Sequence, residues 1–293
     1  LTAGRILECL VGLALVAWIL ADIFLSVILP RAAATRWRLS AQVSRRVWRL
    51  WRWYALRISD ELRRENFMGA YAPLILVVFL ILWVGMLVVG FGFILYGLRG
   101  ELRPEPETLG DALYFAGTSL LTIGYGDIVP ARGMARVVAV LAGASGFAVV
   151  AVVTSFLFQI FAAFQAREVF VVVLGSRAGA PPSGVTLLET YGELGARNEL
   201  DSVFKDGEIW VASLLNTHIA YPVLAYFRSE HDYESWIGAL GTLLDASTLV
   251  LTVVENLPRA QATFTNDLCR HATHDLSDYF GLEDVRDVGV ERQ

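Results

Sequence analysis

Residues Thr122-Ile123-Gly124-Tyr125-Gly126-Asp127 combine types whose backbone can do chemistry. Gly124 and Gly126 reach conformations closed to residues with a Cβ. Consecutive peptide carbonyls can therefore be turned toward one line. Thr122 adds a hydroxyl oxygen at the inner end of that row. A desolvated cation needs such a row, because rings of oxygens replace its hydration shell once several copies of the loop meet on an axis. Ile123 and Tyr125 are expected to point away from that axis and to pack against neighbouring helices, which sets its width. A Gly-Tyr-Gly also occurs in ordinary turns, so the flanking elements carry the argument.

Those elements are apolar and long. The chain has 293 residues, 55% of them hydrophobic, and a mean hydropathy of +0.52. Three stretches, about Ile6–Pro30, Tyr71–Tyr96 and Val137–Ala163, each supply the roughly 20 apolar residues that cross a hydrocarbon layer. The first is too long, and wrongly flanked, for a cleaved signal peptide. Cys9 and Cys269 form no metal framework or disulfide pattern. The net charge of −5 hides a division: residues 1–165 carry 15 basic and 10 acidic side chains, residues 166–293 carry 9 and 19. Residues 31–65 hold ten arginines and three acids, and short cytoplasmic loops collect such charge. The N-terminus is then outside, segment 97–132 external, and the tail cytoplasmic.

With this placement, TIGYGD resembles the selectivity filter of potassium channels of the two-span, single-pore-loop family. The resemblance covers about residues 70–165 and implies K⁺ as the permeant ion, bound by Thr122, Ile123, Gly124, Tyr125 and Gly126. One filter per chain supplies a quarter of a pore, so it also implies a homotetramer. Residues Asp111–Leu121 read as a short pore helix whose C-terminal end favours a cation beyond it. Tyr114 and Phe115 stand where the family often has an aromatic pair buttressing the filter. Two positions depart from the family pattern. Leu121 replaces a threonine before Thr122, and Thr118 stands where some bacterial members carry a glutamate paired with the aspartate after the filter, here Asp127. Glu101, Glu105, Glu107 and Asp111 outnumber Arg99 and Arg103 in the outer loop, reading equally as a cation-concentrating vestibule or a solvated loop.

The third span reads as the inner helix. Gly143 and Gly146 sit within it, and a helical glycine costs about 1 kcal/mol against alanine, so each has a hinge or a packing reason. Phe147, Val150, Thr154 and Phe158 form a stripe below them, in which Thr154 would wet the cavity and Phe158 would constrict it. The additional first span carries Glu8 and Asp22, costly in a membrane. Asp22 is expected to face protein or Arg31, in a structural role. Residues 37–58 hold four of the eight tryptophans in a basic amphipathic pattern that suits a membrane surface and anionic headgroups. Arg46, Arg49 and Arg52 recur at every third position as in voltage-sensing helices, but only one span precedes them, and the surface helix is the preferred reading.

In the tail, Phe170–Leu174 followed by Gly175-Ser176-Arg177-Ala178-Gly179 invites comparison with a strand and dinucleotide-binding turn, yet lacks G-x-G-x-x-G. Helices are expected over Gly184–Leu194, Ile209–Thr217, Glu234–Val254 and Arg259–Tyr279, with Pro222 and Pro258 as punctuation. His218, His271 and His274 are the regulatory candidates. His271 and His274 share a helix face near Asp267, Cys269, Asp275 and Asp278, where metal binding or pH sensing is conceivable. His231 sits in Ser229-Glu230-His231-Asp232, whose adjacency is not triad geometry. Lys205-Asp206-Gly207-Glu208 fails the EF-hand spacing. No enzymatic signature emerges.

The expected fold is an all-α membrane protein: three transmembrane helices plus pore helix and filter in a tetrameric pore, then a mostly helical cytoplasmic domain with room for a short strand. The domains are 1–30 (extra helix), 31–65 (interfacial helix), 66–165 (pore module) and 166–293 (acidic regulatory tail). The expected function is passive K⁺ conduction across the plasma membrane, a bacterial inner membrane, modulated by the tail. No metal beyond K⁺, no organic cofactor and no nucleic acid is expected. The alternatives are a K⁺ transporter subunit, and a channel whose tail mainly docks a partner.

Overall fold

A computed structural model describes residues 2–28, 39–229, 234–255, 257 and 259–282. Arg31, Trp37, His231 and Pro258 lie outside the described residues. Packing divides the chain into two units, Leu1–Gln159 and Ile160–Gln293.

Among the described residues, three helical stretches are long and apolar enough to cross a membrane: Ala3–Val27 and Glu61–Gly97 in the first unit, and Gly133–Ala178, which begins there. Helix α1 (Ala3–Ile23) runs into a π-helical turn, Phe24–Ile28. After it come α2 (Leu39–Ala55), α3 (Glu61–Gly69) and α4 (Tyr71–Gly97). Helices α1 and α4 are apolar on all sides, as expected of helices in lipid, and they pack along one another. Small residues set their separation: a Cβ on Gly12 would meet the Gly90 carbonyl, and one on Gly97 would meet Cys9 and the Arg5 carbonyl. Close backbone approach of this kind replaces the hydrophobic drive that lipid cannot provide.

Polar groups fix the ends of this pair. Glu8 accepts from Arg99 Nη1 at 2.8 Å, and Arg5 pairs with Glu105 at 3.3 Å. Asp22 is buried and takes Trp83 Nε1–H of α4 at 2.8 Å, together with the Ser40 N–H and hydroxyl of α2, both at 3.3 Å. Its partners are an indole and a serine, the kind of satisfaction a charge in an apolar span requires. Helices α2 and α3 form a hairpin closed by Trp51 stacked on Phe67, with centroids 4.2 Å apart. Asp60 caps α3 by accepting from Leu62 and Arg63 N–H groups.

The second unit contains the end of the long helix α6 (Gly133–Ala178), then α7 (Gly184–Glu193), α8 (Leu200–Ala220), α9 (Trp236–Thr252) and α10 (Ala260–Phe280). Its core gathers Val171, Leu174, Leu187, Phe204, Val211, Leu214, Leu243, Val250 and Cys269. Phe170–Leu174 is helical, which corrects the strand allowed there. Valine and phenylalanine favour strands by propensity, but Val171, Leu174 and Ala178 are buried at helical spacing, and packing overrides the preference.

Polar contacts inside this unit centre on Arg167, 4% exposed. Its guanidinium donates to the Leu224 and Phe227 carbonyls (3.1 and 2.9 Å) and to Glu168 (2.8 Å). His218, 0% exposed, bonds the Leu214 carbonyl through Nδ1 at 2.9 Å, turns Nε2 to Arg167 Nη1 at 3.4 Å, and lies 4.8 Å from the Trp236 ring. Burial, and then the Arg167 charge, push its pKa down to about 4 from 6.5. The folded unit holds this ring neutral, whereas the unfolded chain protonates it below 6.5. Stability is thus complete above that value and falls as pH drops from 6.5 toward 4, by roughly 3 kcal/mol in total. Thermal unfolding followed by tryptophan fluorescence should show this slope, and His218→Gln should flatten it.

Candidate functional site

The pore helix α5 (Leu109–Leu120) begins with a capping box. Thr108 Oγ1 accepts from the Asp111 N–H, and the Asp111 carboxylate accepts from the Thr108 N–H at 2.8 Å. These bonds hold the Asp111 carboxyl below its ordinary pKa, with the Thr108 N–H as the main cause. Asp111 therefore starts the helix. Glu105 pairs with Arg5, and Glu101 accepts from the Ala135 N–H at 2.9 Å, capping the first turn of α6. Much of the acidity of the 97–111 loop is thus spent on structure. Two short strands, β1 (Leu102–Arg103) and β2 (Val129–Pro130), pair antiparallel and tie the exit of the filter to that loop.

Between α5 and β2 the backbone takes the form the glycines allow. Thr122, Gly124 and Gly126 have φ of +57°, +63° and +81°, so positive φ recurs at every second residue. In an ordinary extended chain successive carbonyls alternate sides. Placing every second residue in the left-handed region removes that alternation, which requires glycine or accepts strain. Thr122 carries that strain without being glycine. The start of the loop hangs on the Thr118 carbonyl, which accepts from Ile123 N–H at 2.8 Å and Gly124 N–H at 3.3 Å. The Thr118 hydroxyl turns back to the Phe115 carbonyl at 3.1 Å. At the far end, Asp127 lies near enough to the Tyr114 hydroxyl to hold that phenol above its ordinary pKa. Phe115 is buried, 6% exposed.

Helix α6 backs the loop. A Cβ on Gly146 would run into the Leu120 carbonyl, and one on Gly143 would come within 3.3 Å of the Ser119 carbonyl. The packing reason applies to both glycines, most strongly to Gly146. Below them Phe147 and Phe158 are 74% and 72% exposed, with Val150 and Thr154 also exposed. The filter side chains Ile123 and Tyr125 are 48% and 70% exposed, so one chain alone does not surround them. The regulatory candidates lie apart from one another. His218 is in the core of the second unit, while His271 and His274 are on the surface of α10, paired with Asp275 and Asp278. No group of three or more His, Cys, Asp or Glu among the described residues could hold a metal. Reasoning from sequence missed the Glu101 cap and the Thr108–Asp111 box. The Thr-x-x-Asp spacing carried the second signal, whereas the first links residues 34 apart.

Two membrane-length helices flank a half-helix and a loop of alternating backbone hand. Residues 75–163, under a third of the chain, match the family model described as "Ion channel", and α1 is an additional helix in a multi-pass membrane protein. The chain is similar to the uncharacterized membrane protein YdjJ of Bacillus subtilis, 24% identical over 207 residues, 68% of this chain and 58% of that protein. A Rhodopseudomonas palustris protein named "Putative potassium channel protein" is 36% identical over 75 residues, 25% of this chain and 18% of that one. Protein LctB of Geobacillus stearothermophilus is 31% identical over 88 residues, 26% and 65% respectively. The chain thus spans less than two thirds of each relative's length. No solved structure matches it.

The contact at Gly146 leads to a prediction. Gly146→Ala must displace the end of α5 and should lower stability by roughly 1–3 kcal/mol, the usual range for overpacking. Gly143→Ala needs only a few tenths of an ångström and should cost less. Thermal unfolding of the purified full chain orders the two.

Proposed function

We propose that four copies of this chain form a potassium-selective pore in which the carbonyls of Thr122, Ile123, Gly124 and Tyr125, with the Thr122 hydroxyl, replace the hydration shell of K⁺. The observation that carries this reading is the positive φ at residues 122, 124 and 126, which lets successive carbonyls face one line. The exposure of Ile123 and Tyr125 supports assembly, because neighbouring copies would supply the missing packing. The name of the Rhodopseudomonas palustris relative agrees with K⁺ as the ion.

The Arg-rich segment 31–65 faces the cytoplasm and the filter faces outward, in the plasma membrane of a bacterial cell. The exposed stripe of Phe147, Val150, Thr154 and Phe158 lines the cavity, with Phe158 as its constriction. The acidic tail modulates opening. Support comes from α6, which carries the stripe and also contributes Val171 and Leu174 to the tail's core. No step needs an organic cofactor or an enzymatic residue.

Purified chain in lipid vesicles should show K⁺ flux that Na⁺ does not share. Gly124→Ala forces a Cβ into φ +63° and should abolish it, while the protein still folds as judged by circular dichroism. Equal K⁺ and Na⁺ flux would defeat the selectivity reading. Removing residues 180–293 should change open probability in single-channel records, and an unchanged value would separate the tail from gating.

A further inference from the structure

Helix α2 has three different faces. Arg46, Arg49 and Arg52 are exposed, and none of them meets a carboxylate among the described residues. No acid occurs between residues 39 and 59. In the adjoining α3, Asp60 is spent on its cap and on Arg63, and Glu61 on Arg64. Beside the arginines lies an exposed apolar strip, Leu50 at 68% and Tyr54 at 56%. Between the two, Trp53 is covered by the Arg57 guanidinium at 3.4 Å. The third face is half-buried against α3 and α4: Trp51 stacks on Phe67, and the Tyr71 hydroxyl donates to the Ser44 carbonyl at 3.0 Å.

The hairpin also has a fixed level. Ala70 closes α3 and opens α4, so α2 lies at the mouth of a membrane-length helix. Water would leave Leu50 and Tyr54 uncovered, and hydrocarbon would strand three guanidiniums. A membrane surface satisfies both strips, and unpaired arginines select anionic headgroups there. The first turn of α2 is fastened inward. Ser40 gives its N–H and hydroxyl to Asp22, which also holds Trp83 of α4. Helix α4 in turn touches the pore helix, where a Cβ on Gly92 would meet Leu113.

We propose that α2 is an anionic-lipid-binding element, with phospholipid headgroups held by Arg46, Arg49 and Arg52, and that Asp22 is the positioning residue through which its seating reaches α4 and the pore helix. The binding half stands without conduction, while the regulatory half rests on the function proposed above.

The test uses purified full chain in vesicles of phosphatidylcholine alone or mixed with phosphatidylglycerol. Brominated phosphatidylglycerol should quench tryptophan fluorescence more than brominated phosphatidylcholine. That preference should weaken with salt and fall by up to roughly fivefold for each arginine removed in R46Q/R49Q/R52Q. R46K/R49K/R52K should retain it, which separates charge from folding. Equal quenching by the two lipids in the wild type, or a preference unchanged in the glutamine triple variant, overturns the binding site. In the same vesicles, phosphatidylglycerol should change K⁺ flux in the wild type and not in Asp22→Ala, which keeps the quenching preference. Flux insensitive to lipid beside selective quenching overturns the coupling. Absence of flux in every lipid contradicts conduction and therefore the regulatory half, while quenching still decides the lipid site.

Discussion

A backbone that offers its carbonyls to an ion cannot also spend them on its own secondary structure. On the function proposed above, that constraint governs the first unit of this protein. Residues 122–126 have left the helical ladder, and irregular backbone at membrane depth persists only where protein or a water-filled cavity surrounds it. The loop is therefore held from outside itself. Thr118 grips its start through one carbonyl, and α6 presses Gly146 against the carboxyl end of the pore helix. Each brace acts on main chain or on a residue next to it, leaving the carbonyl row free.

The loop between α4 and α5 shows the same economy. Glu101 caps α6, Asp111 caps α5, and a two-residue strand pair links the loop to the filter exit. These contacts are local and polar, while α1 against α4 is long and apolar, drawn close by Gly12 and Gly90. The extra helix is thereby joined to the outer pore helix along its length and pinned by Glu8–Arg99 and Asp22–Trp83. An ion pair and a charged hydrogen bond suit these positions because an unpartnered charge there would be costly.

Much of this was legible in the chain. Continuous apolar runs announce α1, α4 and α6, since little but length and hydropathy decides a membrane helix. The two filter glycines announce the loop, because positive φ is what glycine is for. What stayed hidden depends on contacts distant in sequence. Gly146 reads as hinge or packing until Leu120 is placed beside it. Glu101 reads as vestibule charge until the Ala135 N–H is placed against it. Phe170–Leu174 looked like a strand because β-branched propensity is local, whereas the core that makes it helical is assembled from α7–α10.

The central claim is that the carbonyls of residues 122–125 form stacked rings around dehydrated K⁺. Anomalous scattering from Tl⁺, a dense monovalent ion of similar size, tests it directly in crystals of the full chain. The account predicts a row of Tl⁺ peaks along the symmetry axis, level with those carbonyls. Crystals of the assembled protein with no axial peaks there, or with Tl⁺ held only by side chains elsewhere, would contradict it.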